Sequence, residues 1–194
     1  MILTRKEIIE RARNGDPAAW EEIIADHGEG VFRYAFLKLG NVQEAEEVAQ
    51  ETFVRAFRYL DRFDDDRPLR PWLLSISANL ARNRWRSFAR YRAAIQRLVE
   101  RRPGSPMLQG DLTPARADPI KWRARRLREA VEQLSKSDRD VLYLRYFLDL
   151  SVTEAAQVLE VAEGTVKSRS HRAIVRLREL IMKDFPDLVE DLLP

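Results

Sequence analysis

Wherever apolar residues recur regularly in this chain they recur at helical spacing, and no segment alternates as a strand would. The clearest case is Ala45, Val48, Ala49, Thr52, Phe53, Ala56, Phe57 and Leu60, which step by three and four and so share one helix face. Glu44, Glu46, Glu47 and Glu51 lie mostly off that stripe, with Gln50 between them. A second helical pattern, carrying Leu73, Ile76, Ser77 and Leu80, runs from Trp72 to about Val99. Leu127, Ala130, Val131 and Leu134 make a shorter third. The expected fold class is all-α.

Turn and cap residues divide these patterns. Asp16-Pro17 reads as an N-cap with proline in the first turn. The helix after it carries Trp20, Ile23 and Ile24, and His27-Gly28-Glu29-Gly30 is expected to interrupt or kink it. A further run, Val31 to Leu39, stops at Gly40-Asn41. Asp61 to Pro71 reads as a loop, because two prolines and a charge run oppose a helix. From Pro103-Gly104-Ser105-Pro106 onward, Gly110, Pro114 and Pro119 accompany a loss of periodicity. Residues 100–120 are therefore expected to form a flexible linker. Beyond it, Ser137–Asp140 and Ser151–Glu154 are capping-box patterns ahead of apolar runs, and a last helix is expected from about Glu163 to Met182. The expected layout is two small helical domains, 1–99 and 121–183, with an acidic tail at 184–194.

Charge follows the same divisions. The chain of 194 residues holds 34 Lys+Arg and 31 Asp+Glu, yet residues 1–66 hold 9 basic and 15 acidic residues (net −6). Residues 67–178 hold 24 and 11 (net +13), and residues 179–194 hold 1 and 5 (net −4). A strongly basic stretch between two acidic ones suggests a nucleic-acid surface and a separate surface for another partner. With no cysteine, the chain has no disulfide, no thiolate zinc site and no thiol nucleophile. It shows no signal peptide, no run long enough to span a membrane, and no phosphate-loop or dinucleotide fingerprint among its 7 glycines. A soluble cytoplasmic protein without cofactor or membrane insertion is expected. Asp64-Asp65-Asp66 could suggest a metal site, but no spaced ligands or histidines accompany it, so a solvated loop is expected. His27 and His171 are far apart in sequence and are each expected to be structural or a DNA neighbour rather than a ligand.

From Val152 to about Arg172 the spacing is that of a helix-turn-helix. Small Ala155 and Ala156 let the second helix approach, Leu159 and Val161 bracket the turn, and Val166 closes the core. The stripe continues through Ser170, a polar exception, then Ala173, Ile174, Leu177 and Leu180. Thr165, Arg169, Arg172 and Arg176 occupy the other side, with Lys167 and Ser168 near the helix start, and no acid intervenes between Thr165 and Arg178. A recognition helix needs this arrangement, early residues reaching base edges while cations hold phosphates. The competing reading is a solvated charged face. The turn position that glycine often fills is Glu160, which cannot adopt a left-handed conformation cheaply, so another turn geometry is open.

Between Arg67 and Val99 there are 8 arginines and no acid. Asn79, Arg82, Asn83, Arg84, Trp85 and Arg86, with Phe88 and Tyr91 beyond, interleave cations, amides and aromatics, the mixture that single-stranded DNA calls for. Trp72, Leu73, Ile76 and Leu80, and Trp85 with them, can equally be core, so Asn79, Arg82, Asn83, Arg84 and Arg86 are the favoured contacts.

Three blocks, NVQEAEEVAQETFVRAF (41–57), RPLRPWLLSISANLARNRWR (67–86) and LSKSDRDVLYLRYFLDLSVTEAAQVLEVAEGTVKSRSHRAIVRLREL (134–180), in that order resemble a bacterial RNA polymerase sigma factor. The two-domain layout resembles the extracytoplasmic-function (ECF, group 4) subfamily. The resemblance implies that the helix over 44–60 docks on the β′ clamp of core RNA polymerase through Glu44, Glu46, Glu47, Gln50 and Glu51, with Arg55 and Arg58 further along. It implies that the next helix opens the −10 element and reads its non-template strand through Asn79, Arg82, Asn83, Arg84 and Arg86. The loop 61–71 is similar to one that helps capture a flipped −10 base. The C-terminal domain would read −35 duplex through Thr165, Lys167, Ser168, Arg169, Arg172 and Arg176 and meet the polymerase β flap. Promoter DNA, core polymerase and an anti-sigma factor are the implied partners, and bond chemistry would belong to the polymerase rather than to this chain. A stand-alone helix-turn-helix regulator explains 121–182 but leaves the acidic helix and Arg67–Val99 without a role. A nucleic-acid enzyme using the aspartates near 64–66 is a second rival.

Overall fold

Helices in this chain start where a short polar side chain can take up a free backbone N–H. A computed structural model describes residues 4–99 and 119–190, and every regular element among them is helical. Thr4 and Glu7 form a capping box, Thr4 N–H donating to Glu7 Oε2 at 2.6 Å, and open α1 (Arg5–Arg13). Asp16 caps α2 (Pro17–Leu39) by accepting from Ala18 N at 3.0 Å, as the Asp-Pro pair predicts. Asn41 accepts from Glu44 N at 3.0 Å to open α3 (Val42–Tyr59). A 3-10 turn over Leu60–Arg62 leads toward α4 (Leu69–Val99), then come α5 (Pro119–Glu132) and α6 (Lys136–Leu142). A π-helical turn (Tyr143–Phe147) precedes α7 (Val152–Leu159), α8 (Glu163–Asp184) and the short α9 (Asp187–Glu190). Ser151 and Glu154 cap α7 reciprocally, at 3.1 and 2.8 Å.

His27–Gly30 does not break α2, which runs unbroken through both glycines. Each mid-helix glycine costs about 1 kcal/mol, and burial of Trp20, Ile23, Val31 and Tyr34 along that helix outweighs it. The loop expected to reach Pro71 ends earlier, since α4 begins at Leu69. Pro71 then lies in the first turn, where its missing N–H leaves no bond unmade. Ser135, not Ser137, caps α6 by accepting from Asp138 N at 3.2 Å. Phe57, Ile24 and Ile174 sit at the edges of their apolar stripes and are exposed rather than core. Glu160 does adopt the left-handed conformation, φ 55° and ψ 46°, as the C-cap of α7.

The two halves pack together. One cluster of buried side chains runs from Trp20, Val31 and Tyr34 through Leu69, Leu73 and Ala78 to Leu148, Leu150, Ala155 and Val158, and α7 lies on α4. Polar contacts cross the same boundary. Lys38 pairs with Asp140, and Arg70 Nη2 donates to Leu148 O at 2.6 Å. The Arg128 guanidinium lies over the Phe36 ring at 4.7 Å. Gly40 ends α2 at φ 75°, and this left-handed cap calls for glycine, since the Arg128 Nη2 that a Cβ would meet at 2.7 Å is the mobile end of a long side chain.

The linker at 100–120 lies outside the described residues except for its last two positions, which begin α5. Residues 191–194 of the acidic tail lie outside them as well, as do the side chains of Trp85, Phe88 and Tyr91. The tail begins folded. Phe185 is buried, the Arg126 guanidinium sits 4.5 Å from its ring, and Arg126 Nε meets Asp187 Oδ2 at 2.7 Å. Among the described residues no helix is long and apolar enough to cross a membrane, and no group of side chains could hold a metal ion.

Candidate nucleic-acid interface

The second helix of the helix-turn-helix is set by what holds its inner face. Val166, Ser170 and Ala173 are buried against α6 and α7, while Lys167, Ser168 and Arg172 are exposed. Ser170 Oγ has no hydrogen-bond partner among the described residues, so its small size, not its hydroxyl, fits the contact. Across the turn, Thr153 Oγ1 donates to Glu163 Oε1 at 2.7 Å and ties α7 to the start of α8. Ser168 Oγ donates to Thr165 O at 3.2 Å, and Arg172 Nε reaches Ser168 O at 3.3 Å. Thr165 and Arg169 are half-buried. Arg176 differs from the rest: Nη1 lies 2.6 Å from Oδ2 of Asp138, whose side chain is only 5% exposed. Its guanidinium neutralises a buried carboxylate of α6 and so ties α8 to its own domain.

On α4 the five candidate residues are all exposed, but they divide. Asn79, Arg82, Asn83 and Arg86 recur at three- and four-residue steps along one face. Arg84 lies off that row and turns toward α3, with Nη1 2.7 Å from Glu47 Oε2 and 3.3 Å from Glu44 Oε2. One arginine assigned to DNA thus pairs with two carboxylates assigned to the polymerase, a contact that sequence spacing does not reveal.

Along α3 the other acidic candidates are also sorted. Glu51 pairs with Arg55 at 2.8 Å, and that hydrogen bond holds its carboxyl below the usual range. Glu46 and Gln50 are exposed and continue, at steps of four and three, into exposed Val54 and Phe57. Phe57 tilts against Trp20 with ring centroids 5.3 Å apart. Sequence reasoning missed Val54 and gave Phe57 to the core. The row therefore has a polar half and an apolar half.

The loop before α4 is solvated, as expected, with Asp64 and Asp66 exposed, but its aspartates also meet cations. Arg13 donates to both Asp65 carboxylate oxygens at 2.6 Å and to Phe63 O at 2.6 Å. Lys6 meets Asp66 at 2.7 Å, and Arg67 meets Asp64 at 3.4 Å. Each of the three aspartates thus neutralises a cation. Phe63 and Trp72, ring centroids 4.8 Å apart, line a depression of about 220 Å³ beside this loop, and Gln157 of α7 borders it. His27 is half-buried and His171 exposed, on different helices.

Comparisons with known proteins agree with this geometry. The family described as Sigma-70 region 2 matches residues 23–91, and Sigma-70 region 4 matches residues 124–177. The chain is 30% identical over 192 residues to the ECF RNA polymerase sigma factor SigW of Bacillus subtilis, covering 97% of this chain and 100% of SigW. It is 32% identical over 170 residues to the ECF sigma factor SigL of Mycobacterium tuberculosis, covering 86% and 91%. Among solved structures, CnrH in complex with the cytosolic domain of CnrY aligns with a TM-score of 0.69 and 25% identity, over 91% of this chain and 96% of that one. RpoE of Bartonella quintana, in complex with the anti-sigma factor NepR, aligns with a TM-score of 0.61 and 26% identity, over 84% and 97%. The acidic helix and the arginine-rich helix left over by a stand-alone regulator thus lie within the first matched region: the chain belongs to the ECF family of RNA polymerase sigma factors, which direct promoter-specific transcription initiation.

Proposed function

We propose that residues 1–99 bind core RNA polymerase and open the −10 element, and that residues 121–183 read the −35 duplex, with 100–120 as the linker and 184–194 as a tail. The observation that carries this reading is the separation of three exposed chemistries on three helices: Glu46, Gln50, Val54 and Phe57 on α3; Asn79, Arg82, Asn83 and Arg86 on α4; Lys167, Ser168 and Arg172 on α8. The α3 row suits the β′ clamp, where Glu44, Glu47 and Glu51 add charge once their intramolecular arginines are exchanged for polymerase cations. Opening duplex costs about 1.4 kcal/mol per stacked step, and stacking on aromatics returns about 1–3 kcal/mol per base. Binding energy therefore drives melting, and this chain does no bond chemistry. The depression beside Phe63 and Trp72 suits an unstacked −10 base. On α8, Arg169 and Arg172 suit guanine edges or phosphates, Lys167 and Ser168 suit bases or phosphates, and Thr165 stands at the helix start. Arg176 contributes through Asp138. The working site is the cytoplasm, beside the polymerase, and the β flap is the contact of the C-terminal domain. An anti-sigma factor is the regulatory partner, by analogy with the CnrH and RpoE complexes.

The −10 and −35 elements lie about 25 base pairs apart, about 85 Å of B-form DNA. Arg82 and Arg169 line one cleft, so the two domains separate before both elements are read. Run-off transcription with core polymerase on a promoter library tests the reading, and initiation no better than core alone would refute it. Glu46→Lys is expected to weaken core binding at least tenfold while −35 duplex affinity stays within twofold. Arg169→Ala is expected to do the reverse, and equal behaviour of the two variants would overturn the domain assignment.

A further inference from the structure

Where the two domains meet, a cleft of about 350 Å³ opens between α2, α4, α6 and α8. Six cations line it: Lys38, Arg82, Arg86, Lys136, Arg139 and Arg169. The one carboxylate in the lining, Asp140, is already paired with Lys38. The side chains of Arg82, from α4, and Arg169, from α8, make no ion pair or hydrogen bond with another described residue. Partial desolvation, then the charges of Arg139 and Lys38, lower the Lys136 pKa. Leu37, Ala81 and Leu159 give the cleft an apolar side, which strengthens any charge interaction there. Lys38 has Asp140 and Arg139 Nη1 donates to Glu132 O at 3.4 Å, so the cations gathered from four helices are only partly offset within the cavity, which favours a bound anion.

We propose that this interdomain cleft is a binding site for a compact polyphosphate anion, held by Arg82 from one side and by Lys136, Arg139 and Arg169 from the other, and that its occupancy holds the two domains together. The volume is that of a small-molecule pocket and excludes a nucleic-acid duplex. Charge density selects the ligand class: a terminal phosphate brings about −1.5 to −2 charges, a peptide carboxylate only one. The site needs both domains in contact, so binding favours the closed arrangement by mass action. It stands on the lining itself and does not depend on the promoter contacts assigned above.

The test uses the full chain at fixed ionic strength, with inorganic tripolyphosphate in one arm and adenosine or guanosine triphosphate in the other, followed by calorimetry and small-angle scattering. The expected result is one site per chain, with no increase in radius of gyration on binding. Arg82→Gln and Arg169→Gln are each expected to weaken binding at least fivefold, though they lie in different domains. Arg178→Glu combined with Lys183→Glu, a larger charge change outside the cleft, is expected to leave affinity within twofold. Equal affinity in the two arms means that the phosphates alone are read, and tighter nucleotide binding means that the apolar side takes the base. Binding of several anions per chain, loss on changing only one of the two arginines, equal loss in the control, or no binding in either arm would overturn the proposal.

Discussion

Glu160 is a residue whose backbone is set against its own preference. The chain must reverse between α7 and α8, and φ 55° supplies that reversal at a non-glycine residue. The left-handed conformation costs an L-residue about 1–2 kcal/mol, partly recovered because glycine loses more entropy on folding. Glu160→Gly is therefore expected to raise stability by about 0.5–1 kcal/mol in urea denaturation, with duplex binding unchanged. At His27 it is the side chain, not the backbone, that is set against its preference. Burial holds its pKa below the ordinary 6.5, with Asp26 opposing and Arg70 adding to the shift. A base whose folded pKa is depressed is protonated first in the unfolded chain. Its stability cost is thus absent well above pH 6.5 and grows as pH falls through 6.5, levelling off below the folded pKa. Thermal melts of the native chain are expected to lose more between pH 7.5 and 5.5 than those of His27→Gln.

Among the elements, α8 carries two duties that compete for the same side chains. Its outer face is cationic, as the proposed −35 contact needs, yet Arg176 is used inwardly against Asp138. Removing the arginine leaves a buried carboxylate without its cation, which costs more than the pair itself contributes. Arg176→Ala is expected to destabilise by about 1–3 kcal/mol, and adding Asp138→Asn should recover much of that loss; chemical denaturation of both variants measures it. A residue acting only through DNA contact would leave the melting curve unmoved. In α3 the limit of periodicity is visible. A stripe of three- and four-residue steps says which face is apolar but not how much of it a neighbour covers, and Phe57 falls on the uncovered edge. In α2, glycines that read as a break were overruled by burial along the whole helix.

For the whole molecule, the deciding contacts are those between the domains. Lys38–Asp140 and Arg70–Leu148 flank a shared apolar core, so the closed form is held by burial and registered by charge. Lys38→Glu places like charges on either side of the boundary. It is expected to enlarge the radius of gyration in small-angle scattering and to split thermal unfolding into two transitions. Under the proposed assignment of −10 and −35 contacts, promoter reading needs the same separation, so this variant also tests whether closure restrains the free protein, by an increase in −35 duplex affinity.

Local chemistry accounts for the features legible along the chain. Helix starts at Asp16 and Ser151, the stop at Gly40, the helix-turn-helix core of Ala155, Ala156 and Val166, and the segregation of charge all follow from backbone hydrogen bonding and periodicity within a few residues. Which charged groups meet depends on how the helices pack. Arg84 with Glu44 and Glu47, Arg13 with Asp65, and Arg176 with Asp138 join residues 37 to 52 positions apart or more finely sorted by helix rotation, and no spacing rule reaches that far. The cleft that sets Arg82 opposite Arg169 is of the same kind: each arginine is legible as a surface cation, but their juxtaposition depends on how two apolar faces bury each other.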